Sequence, residues 1–310
     1  MCPDTSARET PDDAGAALPV TRFAPSPTGD LHLGHAYAAL FAWRHAGEDP
    51  AHFRLRIEDI DSGRSRPEYV ASIRRDLAWL GIETAAPVLH QSARADAYRA
   101  ALDRLDAAGL LYPCFCTRAD IRAEIDAAGA APHLRRNGPD GPLYPGTCRA
   151  LGAAERADRI AAGEAHALRL EVAAAAAAAG PLEWTDRARG VQRATPELFG
   201  DVVLARKDVA ASYHLAVTVD DAAQGVSLVT RAGDLLPATH LHRLLQALLD
   251  LPVPLWHHHP LLTDDAGRRL AKRDRAQTLR SLRENGASPG EIWGRAVRHL
   301  ALQDTAAVGM

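Results

Sequence analysis

Two histidines three residues apart, His32 and His35, stand inside the stretch RFAPSPTGDLHLGHAYAAL, just where an apolar helical pattern begins. Pro25 and Pro27 stiffen the loop ahead of them, and Gly29 and Gly34 allow close backbone approach. At this spacing both imidazoles fall on one side of a first helical turn, at a helix end that already favours anions. Such a pair can donate hydrogen bonds to phosphate oxygens as negative charge develops on them. A second constellation is Cys114-Phe115-Cys116, followed by Cys148 beyond a Pro- and Gly-rich stretch. Three thiolates suit zinc, which takes four tetrahedral ligands. His133 is the chemically orthodox fourth ligand, while Tyr144 stands in YPGTC just before Cys148. The run His257-His258-His259 invites a metal reading too, but consecutive residues point in different directions, so it reads as a strand.

These groups need elements to position them. PVTRFAPS reads as a short strand ending in a loop, and HAYAALFAWRHAG as a helix closed by Gly47. AHFRLRIEDID alternates Phe53, Leu55 and Ile57 on one face and is a strand. Helices are expected near 66–80, with Pro67 in the first turn, and over 94–109, stopped by Gly109; VLHQSAR between them is a third strand or a loop. This β-α-β-α-β opening begins a Rossmann-like doubly wound parallel sheet in an α/β fold. Strand patterns return at 201–206, at YHLAVTVDD and at GVSLVTRAGDLL, and PATHLHRLLQALL is helical. The alanine run 173–179 reads as a solvated helix or slack loop. The expected organisation is a disordered leader (1–18), the first half of a nucleotide-binding domain (19–109), a zinc-containing insertion (110–184), the second half (185–249) and a loop with a helical part (250–310).

Composition narrows the class. Lys and Arg number 36 against 39 Asp and Glu, so the net charge of −3 argues against bulk coating of nucleic acid and leaves room for a local basic patch. Four cysteines do not make a secreted disulfide framework, the polar N-terminus lacks the apolar core of a signal peptide, and no apolar run reaches spanning length. The expected compartment is the cytoplasm, with no membrane partner.

HLGH resembles the HIGH signature of class I aminoacyl-tRNA synthetases, and RFAPSPTGDLHLGH is close to the glutamyl branch. RIEDID, YHLAVTVDD, RAGDLL and GRRLAKRD resemble further blocks of that branch in order, over roughly residues 20–285. The last falls where a KMSKS loop belongs; the central Lys272 is kept, whereas the first lysine and both serines are replaced. Only about three dozen residues follow that loop, so the chain resembles the shortened paralogues that act on queuosine-containing tRNA(Asp) and lack an anticodon-binding domain.

The resemblance implies an enzyme that activates L-glutamate with ATP, together with Mg2+, and passes it to the queuosine of tRNA(Asp). The alternatives are charging of a tRNA 3′ end, or a catalytically weak relative that only binds. His32, Gly34, His35, His258 and Lys272 would contact ATP, with His32, His35 and Lys272 catalytic. Arg22, Phe23, Ala24, Pro25, Ser26, Glu58, Tyr213 and Arg231 would form the glutamate pocket, with Glu58 on the ammonium group and Arg22 offering a bidentate fork to the side-chain carboxylate. The family pattern prefers Tyr144 to His133 as fourth ligand of a structural zinc beside Cys114, Cys116 and Cys148. Arg268, Arg269, Lys272, Arg273, Arg275, Arg280 and Arg283 are expected to form a local basic grip for RNA.

Overall fold

A computed structural model describes residues 17–127, 137–207, 209–261 and 277–304. The chain opens with β1 (Thr21–Phe23), α1 (Leu33–His45), β2 (Phe53–Ile57), α2 (Pro67–Trp79), β3 (Leu89–His90) and α3 (Ala95–Ala107). Strands β1, β2 and β3 are parallel neighbours in that order. The segment 111–205 then contains β4 (Leu111–Cys114), α4 (Arg118–Ala127), β5 (Asn137–Gly138), β6 (Gly141–Pro142), α5 (Ala153–Ala161), β7 (Ala167–Leu170), α6 (Val172–Ala179), β8 (Glu183–Asp186), β9 (Gly190–Arg193) and β10 (Val202–Ala205). The chain continues with α7 (Tyr213–Ala223), β11 (Leu228–Ala232), α8 (Ala238–Leu248), β12 (Leu255–His259), α9 (Leu279–Glu284) and α10 (Pro289–Asp304).

Strands β11, β12 and β8 form a second parallel set, edged by antiparallel β9. The two parallel sets meet where the Ser227 and Leu228 N–H groups donate to the Val20 carbonyl at 3.0 and 3.1 Å. β1 and β11 therefore lie side by side, and their carboxyl ends open on the same face, where open α/β sheets bind their ligands. Helix α1 is buried along most of its length through Ala36, Tyr37, Ala39, Leu40, Phe41, Ala42 and Trp43. It packs with Phe53, Leu55, Ile57, Ile73 and Leu77, and this core is closed by Leu279, Leu282 and Ile292 of α9 and α10. Gly47 ends the helix at φ +71°, and a Cβ there would meet Leu18 at 2.8 Å, so both conformation and space ask for glycine.

Three expectations change. YHLAVTVDD is helix α7, although its β-branched residues read as a strand. Ser212 caps it, and the helix is buried on nearly every side, from His214 through Thr218 to Asp221, so tertiary burial overrides the alternating pattern. The helical turn also sends adjacent Asp220 and Asp221 to different partners: Asp220 to Gln91, Arg94 and Tyr98, Asp221 to Arg22 and Arg56. Strand β10, expected to complete the nucleotide-binding sheet, instead pairs antiparallel with β7, whose other neighbour is β4. The insertion's sheet thus shares one core with α3, α7 and α8, through Leu105, Leu170, Leu204, Leu215 and Leu245. The alanine run is a helix, α6, one of the two forms expected; Ala173, Ala177 and Ala178 are exposed as a solvated helix requires, whereas Ala175, with Val172 before the run, is buried in that same core.

Candidate active site

A cavity of about 950 Å³ opens at the carboxyl ends of β1, β2, β11 and β12. Phe23, Ala24, Pro25 and Ser26 leave β1 into its wall, Glu58 follows β2, Arg231 is the penultimate residue of β11 and His259 ends β12. His32, Gly34 and His35 contribute the N-terminus of α1. Here the two histidines cap each other's turn: His32 Nδ1 accepts the Gly34 N–H at 3.1 Å, and His35 Nδ1 accepts the His32 N–H at 3.2 Å. With both Nδ1 atoms accepting, the neutral rings carry their protons on Nε2. The two rings lie against each other, centroids 3.9 Å apart and planes tilted by 32°.

The floor is charged. Arg22 Nε donates to Asp221 Oδ1 at 3.0 Å and its Nη1 to the Thr230 carbonyl at 2.9 Å. Arg56, fully buried on β2, donates to the same Asp221 oxygen at 2.6 Å and lies 3.5 Å from Glu58 Oε1. Burial opposes ionisation of Asp221, yet the Arg22 and Arg56 guanidiniums outweigh it and hold the carboxyl below its ordinary range. Glu58 goes the other way: burial pushes its pKa up, against the pull of Arg56 and Arg22. Asp221 is thus committed to internal pairing, while Glu58 remains the anion for which a cationic ligand group has most to offer. Arg231 is also buried, on His258, His242 and Thr239. Tyr213 stands partly exposed at the wall shared with a second cavity of about 650 Å³.

His258 does not face the cavity. It is buried, with Nδ1 on Asp186 Oδ2 at 2.6 Å and Nε2 toward Arg231, and His259 lines the wall instead. The pleat decides this, because neighbouring strand residues address opposite faces. Of the expected basic grip, Arg280 forms an exposed surface pair with Glu284 at 3.0 Å, while Arg283 is committed to the buried Asp76 at 2.5 Å. Arg268, Arg269, Lys272, Arg273, Arg275 and His133 lie outside the described residues. The sequence reading missed Arg56, Asp221, His214 and His242, whose roles depend on partners far away in the chain. A charged residue on an otherwise buried strand, Arg56 in FRLRI, was the one available signal.

In the insertion, the sulfurs of Cys114, Cys116 and Cys148 lie within 4.8 Å of one another. A tetrahedral ion with bonds of about 2.3 Å to sulfur holds its ligands about 3.8 Å apart, so the three fit one metal. The Tyr144 hydroxyl is 3.5 Å from Cys116 Sγ and accepts the Cys148 N–H at 2.8 Å. Burial and the neighbouring sulfurs push the Cys116 thiol up to about 11. Burial also opposes the Cys148 thiolate, but hydrogen bonds from Tyr144 and the Phe115 N–H outweigh it and lower that thiol. Among the described residues no helix is long and apolar enough to cross a membrane.

Comparison with known proteins places this geometry. The family model for the catalytic domain of class I tRNA synthetases (E and Q) matches residues 20–305. The chain is 50% identical over 280 residues to the glutamyl-Q tRNA(Asp) synthetase of Rhodobacter capsulatus, covering 88% of this chain and 98% of that protein. It is 45% identical to the corresponding protein of Symbiobacterium thermophilum, covering 90% of this chain and 84% of that one. A solved glutamate tRNA ligase from Elizabethkingia meningosepticum, in complex with its amino acid, superposes with a TM-score of 0.73 at 25% identity, over 88% of this chain and 59% of the ligase. The chain belongs to the class I tRNA synthetases (E and Q), in the group of the glutamyl-Q tRNA(Asp) synthetases.

Proposed function

We propose that this ligase activates L-glutamate with ATP, as glutamyl-adenylate, and transfers the glutamyl group to queuosine in tRNA(Asp). The observation that carries the reading is one cavity lined by charges of both signs, Arg22, Arg231 and Glu58, beside the His32–His35 helix start. A free amino acid with an acidic side chain has the matching groups. Its ammonium would meet Glu58, and its side-chain carboxylate would meet Arg22 and Arg231, with Phe23, Ala24, Pro25, Ser26 and Tyr213 closing the pocket. Its α-carboxylate attacks the α-phosphorus of ATP, forming the mixed anhydride and releasing pyrophosphate, so catalysis is mainly positioning and charge stabilisation. His32 and His35, with Nε2–H groups set by their mutual capping, would donate to the phosphates; Gly34 allows close approach; Lys272 would hold the leaving pyrophosphate, with Mg2+ on the triphosphate. A hydroxyl of the queuosine cyclopentene diol then attacks the adenylate carbonyl, the ester forms and AMP leaves with the electron pair.

Zinc on Cys114, Cys116, Cys148 and Tyr144 would be structural, cross-linking a small irregular insertion with little core of its own. The division at 19–109, 110–184, 185–249 and 250–310, and a cytoplasmic location, go with this reading. The test is pyrophosphate exchange with glutamate, with and without tRNA. It is followed by labelled-glutamate transfer to tRNA(Asp) with and without queuosine, and nuclease mapping of the label. Label in the anticodon arm of the queuosine-containing tRNA alone supports the proposal. Label at the 3′ end makes the enzyme an ordinary charging ligase, and no exchange makes it a binder.

A further inference from the structure

Arg231 sits at the centre of a chain of hydrogen bonds whose direction it dictates. A guanidinium only donates. Its Nε–H goes to His258 Nε2 at 3.0 Å, Nη1 to His242 Nδ1 at 3.2 Å and Nη2 to Thr239 Oγ1 at 2.5 Å. Both imidazole atoms must therefore offer lone pairs. The His242 proton is then on Nε2, which lies 3.2 Å from His214 Nδ1. His214 must accept there, so its own proton is on Nε2, 2.9 Å from Asp140 Oδ2. On the other side His258 donates from Nδ1 to Asp186 Oδ2 at 2.6 Å. Every bond in the series Asp140–His214–His242–Arg231–His258–Asp186 has one consistent orientation.

The ends differ. Asp186 is fully buried in the main sheet, whereas the Asp140 side chain is 63% exposed between β5 and β6 of the insertion. Among the described residues no carboxylate pairs directly with Arg231, in contrast to Arg22 and Arg56, which share Asp221. Burial, with Arg231 and His214 nearby, keeps the His242 pKa well below the ordinary imidazole value, in keeping with a neutral acceptor. A cation held by neutral imidazoles is fixed in place without having its charge quenched, which suits a site that must bind an anionic group.

We propose that His242, His214 and Asp140 are positioning residues for Arg231, so that the β5–β6 hairpin of the insertion is the outer end of the amino-acid pocket. This rests on the reading that Arg231 meets the carboxylate of glutamate. The test compares His242→Leu with His242→Asn in pyrophosphate exchange. The two replacements have the same number of side-chain heavy atoms with the same branching, but only the asparagine Oδ1 can accept near the place of Nδ1. His242→Leu should raise the glutamate KM about tenfold, with the ATP KM within about twofold, and His242→Asn should recover most of that loss. Asp140→Ala, at an exposed position where folding is not at stake, should raise the glutamate KM about threefold and leave the ATP KM alone. Equal behaviour of the leucine and asparagine variants, parallel rises in both KM values, or an unchanged glutamate KM in Asp140→Ala overturns the relay. Absence of glutamate-dependent exchange in the unaltered enzyme overturns the reading of the pocket itself, and the relay's purpose with it.

Discussion

The cavity floor and the cysteine cluster solve opposite problems. At the floor, Arg22, Arg56, Asp221 and Glu58 bring charges of both signs together, so each charge has an opposite one beside it in the polypeptide. In the insertion, Cys114, Cys116 and Cys148 bring together three groups of one kind, which cannot all ionise in contact without a cation. The first region organises itself and waits for substrate; the second is a ligand set whose geometry makes sense around a metal.

The sharpest way to break the first half of that comparison is Arg56→Leu. It leaves Asp221 with one guanidinium fewer in a buried place, and unfolding by denaturant should show a loss of about 3–5 kcal/mol. An unchanged midpoint would mean that Asp221 is solvated or protonated. The second half breaks on Cys116→Ser: freshly purified protein should carry about one zinc per chain, and the variant should carry almost none. Metal analysis finding none in the unaltered protein would make the cluster reduced thiols in a small core. Next in size, Arg22→Ala should raise the glutamate KM roughly tenfold to a hundredfold with little change for ATP. A normal glutamate KM there removes Arg22 from carboxylate recognition. Tyr144→Phe should weaken zinc by about tenfold if the phenol oxygen is the fourth ligand. Full retention, measured by competition with a chelator, returns the place to another residue.

The smallest effect concerns pH. The Glu58 pKa is raised by burial, so on acidification it takes up a proton earlier than a free glutamate side chain and loses its hold on an ammonium group. Asp221 has a depressed pKa, so the stability it contributes is present above its unfolded value and is lost only as pH falls through the lower folded value. Glutamate affinity should therefore fall before the unfolding midpoint does as pH drops below the neutral range. Simultaneous loss of both would contradict the split between a binding and a bracing carboxylate.

What was legible in the sequence was local. His32 and His35 declare themselves because a helical turn brings residues three apart together, and Cys114-x-Cys116 because thiols at that spacing can ligate one ion. The α/β succession through α3 was readable from periodicity together with the helix limits at Gly47, Pro67 and Gly109, with β3 left open as a strand or a loop. Helix α7 was not, since the β-branched run Val217-Thr218-Val219 favours a strand, and only burial on nearly every side shows otherwise. Nor was the cavity floor: Arg56 and Arg22 find Asp221 across 165 and 199 residues, distances over which single-sequence patterns carry no information. The placement of β10 failed for the same reason, because a strand's sheet is chosen by its partners.

One measurement bears on the central claim more directly than the others. Labelled glutamate, ATP and the purified enzyme are incubated with tRNA(Asp) containing queuosine and with the same tRNA lacking it, and the label is located by nuclease digestion. ATP-dependent label is expected in the anticodon arm of the queuosine-containing tRNA and none on its unmodified counterpart. Equal labelling of both, or label confined to the 3′ end, would contradict the claim.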